Sequence, residues 1–291
     1  MSDLEASFGE HRGLLFSVAY RILGSAADAE DVVQEAWLRW SGADREQVED
    51  PRAYLARIAA NLAVDRLRAE QARRETYYGP WLPEPILTEH DPATDAAAAN
   101  SVSLAMLVVL ETLSPVERAV FVLHEVFAFS HVEIAVALER SEGAVRQAAH
   151  RAREHVQARR PRFAADSAST QQAIERFFAA AAGGDINALM ELLAPDVTVW
   201  SDGGGKVRAS RAPVVGAKKV AAFLASWSRR PYEGVPFEQL SIRITEINGA
   251  PGVLAVAPDR VLGILTVELD DAGLIAAVHV VTNPDKLAAV S

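Results

Sequence analysis

Ser130-His131-Val132-Glu133-Ile134-Ala135-Val136-Ala137-Leu138-Glu139-Arg140-Ser141-Glu142-Gly143-Ala144-Val145-Arg146-Gln147-Ala148-Ala149-His150-Arg151-Ala152-Arg153 is the stretch that decides the fold of the first half of this chain. Ser130 and Glu133 have the spacing of a reciprocal cap and open a short helix carrying Ile134, Ala137 and Leu138 inward. After the polar break Glu139-Arg140-Ser141 a second helix begins, with Val145, Ala149, Ala152 and Val156 as its inner stripe. Small alanines on that side allow close packing, while Arg146, Gln147, His150, Arg151 and Arg153 project elsewhere. This is a helix-turn-helix layout, in which the second helix enters a major groove. Arg146, Gln147, His150 and Arg151 are candidates for base edges, Arg153 and Arg159 for phosphates. An ordinary helical hairpin is the plain alternative.

Upstream, Ser114-Pro115-Val116-Glu117 supplies a cap, an N1 proline and an N3 glutamate for a helix through Val126, preceded by helical periodicity over Ser101–Leu113. Three more amphipathic helices come first, with stripes at Leu15, Val18, Ala19 and Ile22, at Val33, Ala36, Trp37 and Trp40, and at Leu55, Ile58, Ala59 and Leu62. Ser25 with Asp28 caps the second, and Asp50-Pro51 opens the third. Between these blocks Tyr77-Tyr78-Gly79-Pro80-Trp81-Leu82-Pro83-Glu84-Pro85 cannot be regular helix. It reads as a linker, yet its three rings are unusual for a passive tether and predict that something covers them.

Beyond Arg159-Arg160-Pro161-Arg162 the composition changes. Helices at Gln171–Ala182, Asp185–Leu193 and Ala217–Ser228 surround a strand at Val197–Ser201. Strands then follow at Phe237–Ile247, Val253–Ala257, Arg260–Leu269 and Leu274–Thr282, separated by turns at Asn248-Gly249, Pro258-Asp259 and Asp271-Ala272-Gly273. The expected fold is multidomain, with two all-α modules at 1–76 and 100–163, a linker at 77–99, and an α+β domain at 164–291.

The formal net charge of −10 runs against phosphate binding, but its distribution is uneven. Arg52–Arg74 holds six arginines against Asp65 and Glu70, and Glu142–Arg162 holds six against Glu142 and Glu154. The absence of cysteine excludes disulfides and thiolate zinc sites, no His/Asp cluster has metal-ligand spacing, and no cofactor is expected. No apolar run reaches membrane-span length and the start lacks a signal-peptide core, so a cytoplasmic location without membrane contact is expected.

Several segments, in order, resemble the extracytoplasmic-function sigma factors. Asp28-Ala29-Glu30-Asp31-Val32-Val33-Gln34-Glu35-Ala36-Trp37 is similar to the polymerase-binding helix of sigma region 2, and Pro51 to Arg68 to its −10-reading segment. Leu113-Ser114-Pro115-Val116-Glu117-Arg118 and Glu142 to Arg153 resemble region 4, which reads the −35 element. Trp81-Leu82-Pro83-Glu84-Pro85, Asp202-Gly203-Gly204-Gly205-Lys206 and Asn283-Pro284-Asp285-Lys286-Leu287 resemble the subgroup bearing a fused SnoaL-like domain, the sigma factor J type. Ala148 and Ala149 depart from many relatives, so base preference does not carry over.

The resemblance implies core RNA polymerase and promoter DNA as partners, with Asp31, Gln34 and Glu35 facing polymerase and Arg52, Arg57, Asn61 and Arg68 facing the −10 region. It also implies a cone-shaped C-terminal domain regulating in cis, no separate anti-sigma factor and no enzymatic activity. The loop Asp202–Lys206 is expected to pack on the Trp81–Pro85 linker, with Lys206 available to a carboxylate such as Glu84. A P-loop is excluded because Val207 follows the lysine. Trp200, Asp202, Trp227 and His279 are expected to line the cone. A helix-turn-helix regulator fused to a SnoaL-like enzyme or small-molecule sensor is the runner-up, and a repressor that binds its operator without polymerase is the third reading.

Overall fold

The computed structural model describes residues 3–43, 48–74, 76–88, 102–159, 166–227 and 231–290. Two compact units emerge. The first holds the helices up to Arg74 and the chain from Met106 to Arg159; the second holds residues 76–88, residues 103–105 at the start of the following helix, and everything from Asp166 onward. The far half of the expected linker, 89–99, and the join at 160–165 lie outside the described residues.

In the first unit α1 (Asp3–Leu23), α2 (Ala26–Ser41) and α3 (Pro51–Arg74) form a three-helix core. The predicted stripes supply it: Leu15, Val18, Ala19 and Ile22 are fully buried, as are Ala36, Leu55 and Ala59. Leu62 is only half-buried. Ser25 accepts from the Asp28 amide and Asp50 from the Ala53 amide, so both predicted caps form.

The second half of this unit comprises α4 (Leu104–Leu110), α5 (Pro115–Phe121), α6 (His131–Ala137) and α7 (Glu142–Arg159). Capping boxes are complete at Ser114/Glu117 and Ser130/Glu133. The helix expected to run on to Val126 changes hydrogen-bonding pattern to a π-helical turn over Val122–Val126. The α6–α7 turn is a Schellman motif. Arg140 N donates to Ala135 O and Glu139 N to Val136 O, with Glu139 left-handed at φ 53°. Buried Arg118 donates to Arg21 O and pairs with Glu111, which also meets Arg74, tying α5 to the first three helices.

In the second unit α8 (Ser167–Gly183), α9 (Ile186–Leu192) and α10 (Ala217–Ala225) pack on one face of a six-stranded sheet of order β2-β1-β6-β5-β4-β3. Its strands are β1 (Leu193–Asp202), β2 (Val214–Val215), β3 (Ser241–Ile247), β4 (Ala250–Val256), β5 (Val261–Leu269) and β6 (Ile275–Val281). β1 and β6 run parallel and the other pairs antiparallel. Two expectations fail at strand ends. Phe237–Gln239, read as strand, is a 3-10 turn, and the short β2 went unread. Asn248 and Gly249, at φ 53° and 73°, make the predicted hairpin turn.

Register divides the sheet into rows. Ser201, Val280, Leu265 and Val253 are successive partners across β1, β6, β5 and β4. The next row, Trp200, His279, Thr266 and Gly252, points to the opposite face because strand side chains alternate.

Candidate nucleic-acid interface and linker clamp

On α7 the inner stripe behaves as read, with Val145, Ala149, Ala152 and Val156 buried and Ala148 buried beside them. Arg146, Gln147, His150 and Arg151 are exposed and Arg153 half-buried. The cations have internal partners. Arg146 pairs with Glu142 at 2.5 Å, Arg151 with Glu117 at 2.6 Å and Arg153 with Glu125 at 2.6 Å, while His150 lies 3.5 Å from Glu154. Burial alone would raise the Glu117 pKa, but hydrogen bonds from Arg151 and Ser114 outweigh it and the net shift is downward. Glu117 thus serves its own cap and Arg151 on α7.

On α3, Asn61 donates to Ala137 O at 2.7 Å, a last-turn carbonyl of α6 that has no partner within its own helix. Arg52 donates to Phe127 O at 3.2 Å and lies over the Phe129 ring. Arg57 lies over Tyr54, and Arg68 pairs with Asp65. Of these four residues, Arg52 and Asn61 are therefore engaged by the helix-turn-helix half of the same unit.

Asp31 and Gln34 are exposed on α2 and Glu35 is half-buried; Asp31 meets Arg66 at 3.2 Å and Glu35 meets Arg39 at 2.7 Å. Leu38 extends the same face by another turn and is 68% exposed. The sequence reading missed it by attending only to charge, although an outward leucine at this spacing was readable.

The segment after α3 converges on Asp202 in the second unit. This buried carboxylate accepts from Tyr77 Oη at 2.6 Å, Leu82 N at 2.8 Å, Gly204 N at 3.0 Å and Lys286 Nζ at 2.7 Å. Four donors match the four acceptor sites of a carboxylate. Lys286 Nζ also donates to Leu82 O at 2.5 Å and sits 3.9 Å from the Trp81 ring centre. Asn283 donates to Tyr77 Oη at 2.9 Å. Burial first, and then the hydrogen bond to Asp202, push the Tyr77 pKa well above the ordinary phenol value. The expectation that the linker rings are covered holds for Tyr77 and Trp81, whereas Tyr78 is half exposed beside Gly205 and Arg211.

The glycines are sterically required. A Cβ on Gly203 would lie 2.7 Å from Ala209 Cβ, and one on Gly204, whose φ is 61°, would collide with the Asn283 side chain. The expected Lys206–Glu84 pair is overturned: Lys206 binds Asp285 at 2.6 Å, and the lysine that reaches the linker is Lys286. Residues 86–88 then join the free edge of β3. Leu87 bridges Ile247, Thr88 N donates to Glu246 O, and Asn248 N donates to Ile86 O while its side chain accepts from Ile86 N. Asn248 was read only as a turn residue, because nothing local in the sequence announces a partner so far away.

The cone interior differs from expectation too. Its cavity is lined by Trp227 and by the row containing Ser201 and Val280, whereas Trp200, Asp202 and His279 belong to the opposite face. There His279 stacks on Trp200 and lies 3.5 Å from Glu268. Burial pushes the His279 pKa down to about 4 and the Glu268 pKa up to about 7, so the pair is a neutral imidazole beside a carboxyl that ionises near neutrality. Both faces of β1 and β6 are covered, so hydropathy did not reveal the phase of these strands.

Three family models match in chain order: Sigma-70 region 2 at residues 8–73, Sigma-70 region 4 at residues 103–156, and a SnoaL-like domain at residues 174–283. ECF RNA polymerase sigma factor SigJ of Mycobacterium tuberculosis is 40% identical, covering 97% of this chain and 92% of its own. Probable ECF RNA polymerase sigma factor SigI of the same species is 31% identical, covering 98% and 94%. The crystal structure of M. tuberculosis SigJ superimposes with a TM-score of 0.78 at 36% identity, covering 98% of both chains. With helical regions 2 and 4 and a SnoaL-like domain matched along nearly its whole length, the chain belongs to the extracytoplasmic-function RNA polymerase sigma factors and directs promoter-specific transcription initiation.

Proposed function

We propose that this chain works in the cytoplasm, reading the −35 element with Arg146, Gln147, His150, Arg151 and Arg153 and the −10 element with Arg52, Arg57, Asn61 and Arg68. Asp31, Gln34 and Glu35 meet the polymerase, with Leu38 adding apolar contact. The C-terminal domain regulates in cis by holding the chain that leaves α3, so no separate anti-sigma factor is needed, and the chain catalyses no covalent reaction. The observation that carries the regulatory reading is the saturation of buried Asp202 by Tyr77, Leu82 and Lys286, together with its own loop. Domain limits follow the same reading: region 2 over 1–76, region 4 over 100–163 and the regulatory domain over 164–291, with 77–99 as the regulated connector.

Reconstituted transcription with core polymerase tests this. Arg146→Ala should cost about 1–3 kcal/mol of promoter binding and relax selectivity at one base position. Asp202→Asn and Lys286→Met should each change promoter output at least about threefold, equivalent to about 0.7 kcal/mol or more. Unaltered output from both clamp variants, with residues 77–87 still protected from hydrogen exchange, would remove the regulatory reading.

A further inference from the structure

We propose, resting on the reading that the C-terminal domain acts in cis, that its cone cavity binds a small ring-bearing carboxylic acid and that the bound molecule tightens the hold on residues 77–87. The cavity gives about 120 Å³ to the centre of a water molecule, comparable to apolar cavities of roughly 150 Å³ that stay dry and accept benzene. Phe178, Phe223, Trp227 and Phe237 give it aromatic walls. Among the described lining residues Arg208 alone is charged, and none is a carboxylate or an imidazole. The cavity therefore suits an apolar ring with one anionic group.

Arg208 is oriented for this task. Its Nη2 donates to Pro231 O at 3.3 Å, it lies 5.6 Å from the Tyr232 ring centre, and Tyr232 Oη donates to its carbonyl at 3.0 Å. An exposed guanidinium held by its neighbours keeps further N–H groups for a carboxylate at the opening.

Coupling follows from a one-residue offset. Ser201 and Thr282 line the cavity, and their chain neighbours Asp202 and Asn283 are the clamp. The amides of Thr282 and Asn283 both donate to Asp202 O, at 2.8 and 2.9 Å, and Ser201 Oγ accepts from Ser210 N at 2.8 Å. A molecule bracing Ser201 and Thr282 restrains Asp202, hence Leu82 and Tyr77.

The test titrates the full chain with naphthalene-2-carboxylate, with 2-naphthalenemethanol and with 2-naphthylmethylammonium, and follows hydrogen exchange at Leu82. The carboxylate should bind saturably and at least about tenfold more tightly than the ammonium. Ring protons should show nuclear Overhauser contacts to Val253 and Leu265 methyls in the unaltered chain, and Leu82 exchange should slow severalfold. Ala255→Phe should abolish binding, and Arg208→Gln should erase the charge preference while retaining the alcohol. No saturable binding, or binding without contacts to those methyls, overturns the site. Equal affinity for acid and ammonium overturns the ligand class, and binding with unchanged Leu82 exchange overturns the coupling. The last result would leave regulation in cis standing, since Asp202→Asn tests that without any ligand.

Discussion

Asp202 and His279 are close in the fold and stand opposite partner strands of one sheet, yet they solve burial differently. Asp202 is surrounded by four donors, Lys286 among them; His279 and Glu268 have no such shell among the described residues, and burial shifts each toward its neutral form. The consequence for stability has a definite sign. Glu268 titrates near 7 when folded against an ordinary 4.5, so the folded chain holds an extra proton in that window and this contribution is lost as pH rises through about 7. His279 titrates near 4 against an ordinary 6.5, so its contribution is present above 6.5 and is lost as pH falls through about 4. Between about pH 4.5 and 6.5 the two slopes oppose each other. His279→Leu should therefore unmask a decline relative to the unaltered chain of at most about 1.4 kcal/mol per pH unit, measured by urea unfolding across that window. Parallel pH profiles for the two proteins would refute the assignment.

At the scale of elements, the helix-turn-helix was legible because its signals are local: two capping boxes, an alanine stripe and a polar turn lie within about forty residues of chain. The turn carries a cost, since Glu139 occupies the left-handed position that glycine usually fills. Glu139→Gly should raise stability by about 1 kcal/mol without altering promoter selectivity, as read by thermal unfolding and transcription. A loss of stability would mean that the carboxylate has a role beyond the turn. Strand phase was not legible, for the opposite reason. Trp200 and His279 look like cone-lining residues until the register of β1 with β6 assigns their row to the far face, and that register depends on strands nearly eighty residues apart. Likewise, charge alone does not separate Lys206 from Lys286; in the structure Lys206 pairs with Asp285 and Lys286 with Asp202.

For the whole molecule, the uneven charge seen in the sequence takes on a physical meaning. The α7 cations Arg146, Arg151 and Arg153 each already hold a carboxylate, and Arg52 and Asn61 hold backbone carbonyls, so the DNA contacts proposed for these residues would exchange internal partners for phosphates and bases. That exchange limits what the chain gains by itself and suits a subunit whose polymerase supplies much of the phosphate affinity. The hydrogen bonds between residues 86–88 and β3 carry a separate implication. A sheet border stripped of its cover is a template for intermolecular pairing, so weakening the clamp also creates a sticky margin on every copy. Asn248→Ala should make the protein's apparent mass by light scattering climb with concentration, and crowded cells would then lose this initiation factor to aggregates before its promoters ever felt the defect.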